Sequence, residues 1–233
     1  MDPKRVVAEG YDRLGPAFSA WNDARPPDVR SWFLGEALDR LPEESEVLEL
    51  GCGPGTEAAE LSAGRRYVGV DLSSVQLSIA RRRAPRATFV RADFTSIAFR
   101  PSSFDGVVAF YVFMHVPRDE VAPTFGRIFG WLRPGGHLML TMSTIDAEDR
   151  VEDWLDVPMF FAGLTPETNE RLLRETGFHL EISEVREEVE ALYGPAQFHW
   201  VIATKPGGQE RRPNRIRRAR QGTRSIARHD PMD

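Results

Sequence analysis

Cysteine is almost absent from the 233-residue chain. Cys52 stands alone, so no intrachain disulfide can form, and one thiol is what a reducing cytoplasm leads one to expect. No apolar run approaches the roughly twenty residues of a membrane-spanning helix. The longest, Val107 to Val116, is short and ends beside His115, so no membrane partner is expected. Met1-Asp2-Pro3-Lys4-Arg5 leads into no apolar core, and no secretory leader is read there. No His, Cys and carboxylate residues fall at metal-ligand spacing, so neither a metal nor a catechol-type magnesium site is expected. Repeats are lacking too. Acids outnumber bases in the body of the chain. From Lys205 onward nine Lys/Arg face three Asp/Glu, yet the whole chain carries −5, so the part before Lys205 is strongly acidic. An acidic body argues against nucleic acid as substrate, since phosphate binding needs a basic groove.

What is present is an alternation of strands and helices. Glu46-Leu50, Arg66-Val70, Ala87-Arg91, Phe104-Tyr111 and Gly136-Ser143 read as strands. Between them, Pro54-Ser62, a segment from Ser73 or Ser74 to about Arg83, and Arg118-Leu132 read as helices. Repeated β-then-α units imply a parallel sheet covered on both faces. Val6-Ala20 and Asp28-Leu41 read as helices before the first strand. After the fifth strand a loop carrying Trp154, Met159, Phe160 and Phe161 is expected. A helix follows, with Thr165 as cap, Pro166 in its first turn and Gly177 as its end. His179-Leu192 and Gln197-Thr204, joined at Tyr193-Gly194-Pro195-Ala196, permit an antiparallel hairpin. Residues 206–233, rich in Arg, Gly and Pro, read as a disordered basic tail.

The segment Glu49-Leu50-Gly51-Cys52-Gly53-Pro54-Gly55-Thr56 ends the first strand. Its glycines allow a tight turn and let a ligand lie against bare main chain. A dinucleotide loop would want a further glycine at position 56, where Thr stands, and Pro54 interrupts the pattern. The spacing and the preceding acid favour S-adenosylmethionine (SAM) over NAD. Asp71, ending the second strand, can accept from both ribose hydroxyls of an adenosine. Asp93, ending the third, is placed for the adenine amino group or for a helix cap. Leu72 or Phe94 can pack on the ring.

In this order, Glu49-Leu50-Gly51-Cys52-Gly53-Pro54-Gly55, Asp71, Ala92-Asp93-Phe94, Phe104-Asp105 and Leu132-Arg133-Pro134-Gly135-Gly136 resemble the class I SAM-dependent methyltransferases. The likeness is greatest to the branch of ubiquinone/menaquinone-biosynthesis and small-molecule enzymes, over about residues 5–205. It implies an α/β, Rossmann-like, seven-stranded and mostly parallel sheet with an antiparallel last strand. It also implies a domain at 1–205, with a helical cap at 1–43 and a lid at 145–165. Glu49, Gly51, Cys52 and Gly53 would lie along the methionine portion of SAM. Asp71 and Leu72 would hold the ribose, Ala92, Asp93 and Phe94 the adenine, and the Phe110 backbone the amino group. Tyr11 resembles a tyrosine that closes over the cofactor, or is a core aromatic; Gln76 could face the ribose.

The resemblance implies methyl transfer to an O, N or C atom of a small acceptor, with S-adenosylhomocysteine as the product. His115 is the candidate base, or else a structural histidine. The fourth strand lacks the Asn/Asp-Pro-Pro-Tyr run of exocyclic-amine enzymes, and the one cysteine lies in the SAM loop, which removes cysteine-dependent cytosine chemistry. Trp21, Trp32, Trp154, Met159, Phe160, Phe161 and Tyr193 are the candidates for an apolar or aromatic acceptor pocket. A monomer or homodimer is expected. Two rivals remain: a SAM-binding protein without methyl transfer (sensor, partner subunit or pericyclase-like), and an RNA or protein methyltransferase using the tail.

Overall fold

The computed structural model describes residues 2–24, 29–190 and 194–207. Helices α1 (Pro3–Asp23) and α2 (Val29–Arg40) lead in. They are followed by β1 (Glu46–Leu50), α3 (Ala58–Leu61), β2 (Arg66–Asp71), α4 (Ser74–Arg83), β3 (Thr88–Arg91) and β4 (Phe104–Ala109). A 3-10 turn at Phe113–His115 precedes α5 (Arg118–Trp131) and β5 (Leu132–Ser143). Then come β6 (Ala147–Trp154), β7 (Val157–Gly163), α6 (Pro166–Thr176), β8 (His179–Glu190) and β9 (Gly194–Thr204). Among the described residues no helix is long and apolar enough to cross a membrane.

Seven strands form one sheet in the order β3-β2-β1-β4-β5-β9-β8. The pairs β1–β2, β1–β4, β2–β3 and β4–β5 are parallel, whereas β9 runs antiparallel to both β5 and β8. This is the Rossmann-like sheet with one reversed strand. The order turns back between β1 and β4, so a crevice opens at their carboxyl ends, where open α/β sheets bind ligands.

Neighbouring residues of the central strands feed opposite layers. Leu48, Leu50 and Val107 pack with Phe125, Ile128 and Trp131 of α5. Val47 and Val108 pack with Phe33, Leu41 and Leu77 on the other face. A smaller cluster joins Val6 and Val7 of α1 to Val157, Met159 and Phe160 of β7. The helix ends follow their local chemistry. The Ser73 side chain accepts from the Gln76 N–H, Thr165 caps α6, and α6 stops at Gly177 with φ 109°.

Three elements differ from the expectation. The helix read at Pro54–Ser62 is only Ala58–Leu61, because Gly53 and Gly55, both at positive φ (50° and 73°), turn the chain first. The fifth strand begins at Leu132 rather than Gly136. The loop expected to carry Trp154, Met159, Phe160 and Phe161 is a β-hairpin, β6 on β7. Its turn, Leu155-Asp156, has both residues at positive φ (51° and 62°), the pattern of a type I′ turn. The join at Tyr193 and the basic tail beyond residue 207 lie outside the described residues.

Trp200 anchors the layer beneath the crevice. Fully buried, it packs on Phe33 with ring centroids 4.7 Å apart and on Phe110 at 5.5 Å, and its indole N–H donates to Glu188 at 3.2 Å. Trp200→Ala is expected to lower stability in urea unfolding by about 3–5 kcal/mol. An unchanged unfolding midpoint would contradict this packing.

Candidate active site

The crevice continues into a cavity of about 690 Å³. Its floor is the glycine loop. Gly51 and Gly53 both take positive φ (65° and 50°). A Cβ on Gly51 would stand 2.3 Å from the Val112 side chain, so the residue leaving β4 packs directly on the loop. The loop's amides are used internally. Gly51 and Cys52 N–H donate to the Val70 carbonyl (2.8 and 3.1 Å), and Gly55 N–H donates to that of Cys52 (2.9 Å). Gly53 N–H donates to one Asp71 carboxylate oxygen, and Ser73 N–H to the other, each at 2.8 Å. A phosphate cradle needs free, convergent N–H groups. These four are taken, and Glu49, Glu57 and Asp71 line the same cavity. The surroundings suit a cationic ligand better than a pyrophosphate.

Burial raises the Asp71 carboxyl above the usual range, against the lowering effect of its backbone hydrogen bonds. Burial, reinforced by the charge of Glu57, holds Glu49 well above its ordinary value; Tyr67 O–H and Arg30 oppose this. Arg30 pairs with Glu57 and donates to Asn22 at 2.9 Å, and Asn22 donates to Thr56 at 2.8 Å. These contacts tie α1 and α2 to the back of the loop. Burial, with Asp71 and Glu49 nearby, pushes the Cys52 thiol well up. Cys52 is thus an unreactive part of the wall.

Helix α1 roofs the cavity and is fastened at three points. Asp12 accepts from Ser73 Oγ (2.5 Å) and Val75 N (3.0 Å) at the start of α4. Gln76 donates to the carbonyls of Tyr11 (3.0 Å) and Gly15 (2.9 Å), where α1 kinks. Lys4 bonds Asp93 (2.8 Å), Glu120 (2.6 Å) and Thr95 Oγ1 (2.6 Å). The Gln76 amide hydrogens hold α1, and the residue also lines the cavity. Asp93 does not border the cavity; its carboxylate takes Lys4 together with the N–H and hydroxyl of Thr95. Burial would raise Asp93, but the hydrogen bonds from Lys4 and Thr95 prevail and keep it below the usual range. Ala92 also stays off the cavity, packing on the core. Leu72, Phe94 and Phe110 do line it.

The opposite wall is aromatic. Tyr11, Phe18, Trp21, Trp154 and Phe161 line it. His115 closes its inner end. Its Nδ1 lies 2.8 Å from the Phe160 carbonyl, which fixes the proton there, and Nε2 then accepts from the Tyr11 hydroxyl at 2.9 Å. Burial lowers its pKa to about 4 despite the Phe160 bond. Trp32, Met159 and Phe160 do not line the cavity. Trp32 is 41% exposed, beneath the Arg186 guanidinium. Met159 and Phe160 are buried against α1 in the small cluster. Tyr193 lies outside the described residues. The sequence reading missed Phe18, Arg30 and Tyr111. Phe18 follows Tyr11 by seven residues on α1, a helical spacing that points to one face. Tyr111 carried no local signal; it takes φ 55° and donates to both Glu188 oxygens at 2.9 and 2.8 Å.

A methyltransferase domain model matches residues 47–136, the stretch from β1 to the start of β5's pairing. Over this stretch the chain is similar to the class I SAM-dependent methyltransferases. It is 37% identical over 132 residues to trans-aconitate 2-methyltransferase of Variovorax paradoxus, covering 52% of this chain and 49% of that one. It is 32% identical over 141 residues to demethylmenaquinone methyltransferase of Clavibacter sepedonicus, covering 58% and 54%. The chain thus spans about half the length of these curated relatives. In fold it is similar to Burkholderia thailandensis 1,6-didemethyltoxoflavin-N1-methyltransferase, whose structure holds S-adenosylhomocysteine. The TM-score is 0.63 at 23% identity, covering 82% of this chain and 83% of that one. The methyltransferase family's donor is a sulfonium cation, and the acid-lined loop with its amides engaged fits it.

Because His115 is held neutral in this methyltransferase domain, folding should depend on pH. Its folded value of about 4 lies below the ordinary 6.5. The unfolded chain therefore binds the proton first as pH falls. Stability is full above 6.5 and is lost as the pH drops toward 4, by up to ~3 kcal/mol. Urea titrations between these values should show a shallower slope for His115→Gln than for the parent chain. Identical slopes would contradict the buried neutral imidazole.

Proposed function

We propose that this chain transfers the methyl group of SAM to a small acceptor held between the glycine loop and the aromatic wall. The observation that carries this is one continuous cavity with a donor-type floor and an acceptor-type roof. Its volume, about 690 Å³, falls inside the roughly 300–1,000 Å³ of small-molecule sites. Residues 1–205 form the methyltransferase domain in this reading, with 1–43 as a helical cap and 145–165 as a lid. The single buried thiol suits the cytoplasm.

When bound, SAM supplies an already activated methyl group on sulfur. The chain's own task is to position and to exclude water. Gly51 and Gly53 leave room for the methionine portion, with Glu49 and Cys52 behind them. Asp71 keeps lone pairs on both oxygens for ribose hydroxyls while holding Gly53 and Ser73. Leu72 and Phe94 flank the adenine, and the Phe110 carbonyl receives the amino group. Tyr11 lies over the donor. His115 offers its Nε2 lone pair to an acceptor that displaces the Tyr11 hydroxyl, which would make it the proton acceptor.

Asp71→Ala should weaken SAM binding by about 1–3 kcal/mol, the cost of leaving buried hydrogen-bonding groups without partners. Titration calorimetry on the folded variant checks this. Parent-like affinity would sink the assignment of Asp71.

A further inference from the structure

We propose, resting on the reading above, that the acceptor is a neutral amine or ring nitrogen, and that the aromatic wall around Trp154 holds the positive charge this nitrogen gains. Two sets of observations lead there independently.

The first is the distribution of charge. Among the described residues that line the cavity, the cations are Arg30 and Arg150. Arg30 is paired with Glu57, and Arg150 with Glu152 at 2.8 Å. A carboxylate acceptor would meet no arginine that is not already on an acid. Beside Glu152, Trp154 centres the wall, its ring 5.5 Å from Trp21, 6.0 Å from Tyr11 and 6.1 Å from both Phe18 and Phe161. Aromatic faces attract cations through their quadrupole.

The second is proton transfer. A hydroxyl must lose its proton as it attacks, which calls for a base within reach. Both His115 ring nitrogens are engaged, Nδ1 with Phe160 and Nε2 with Tyr11, so a hydroxyl acceptor reaches this base only by first displacing Tyr11. A neutral nitrogen needs no base. Its lone pair forms the new N–C bond as the C–S bond breaks, and the C–S pair returns to sulfur. The positive charge passes from sulfur to nitrogen, and the product releases a proton to water where it carries one. A wall that favours a cation is then stronger in the transition state than in the ground state, which is what accelerates the step.

The test uses the folded chain with saturating S-adenosylhomocysteine, so that the donor half is filled. Choline and its uncharged isostere 3,3-dimethylbutan-1-ol are then titrated, with citrate as the anionic probe. Choline should bind at least about tenfold more tightly than the isostere. Trp154→Leu, with its folding checked by its unfolding midpoint, should abolish the difference. Equal binding of the pair, binding of neither, a preference for citrate, or a preference for choline that survives in Trp154→Leu would overturn the proposal. Failure of S-adenosylhomocysteine itself to bind would instead overturn the reading beneath it.

Discussion

The Asp71 carboxylate holds two peptide N–H groups from different segments, Gly53 in the loop after β1 and Ser73 at the start of α4. Strand β1 ends beside β2, so the two segments meet at the carboxyl ends of these neighbouring strands. Without this acceptor, the loop would keep a polar donor turned toward the cavity. With it, the loop closes on itself and presents an acid-lined surface. The same helix start is gripped from above by Asp12 of α1. Floor and roof are thereby referred to one place, and the aromatic residues carried by α1 are positioned by the same contacts.

Function follows from what those contacts leave available. The loop has engaged the amides a phosphate would need, while carboxylates remain around it. A sulfonium donor is compatible with such a floor and a pyrophosphate is not. On the far side the available groups are rings, and the cations beside them are already matched by carboxylates. The relatives that share the core cover half their length with this chain and bear names of chemically different acceptors, a tricarboxylate and a quinone. The shared part is the floor. The roof helix α1 and the β6–β7 hairpin fall outside the matched residues 47–136.

Much of the floor was legible in the sequence because its chemistry is local. Gly51, Gly53 and Gly55 follow β1 within a few residues, Asp71 ends the next strand, and the Ser73, Thr165 and Gly177 helix ends obey short-range rules. The roof was less legible because it depends on distant pairings. Asp93 looked available for a ligand, but Lys4 from the other end of the domain takes it. Trp32 and Phe18 were equally eligible on composition. The turn of α1 at Gly15-Pro16 and the docking of α2 decide that Phe18 faces inward and Trp32 does not. The hairpin was hidden because β6 reads Ala-Glu-Asp-Arg-Val-Glu-Asp-Trp, with no apolar alternation, and its turn carries Leu155-Asp156 where glycine or asparagine would have signalled it.

The central claim is that the loop from Glu49 to Gly55 receives an adenosyl sulfonium rather than a dinucleotide. Parallel calorimetric titrations of the folded chain with S-adenosylhomocysteine and with NAD address it most directly. The account predicts saturable one-to-one binding of S-adenosylhomocysteine and no binding heat from NAD over the same concentrations. Saturable NAD binding with no response to S-adenosylhomocysteine would contradict it.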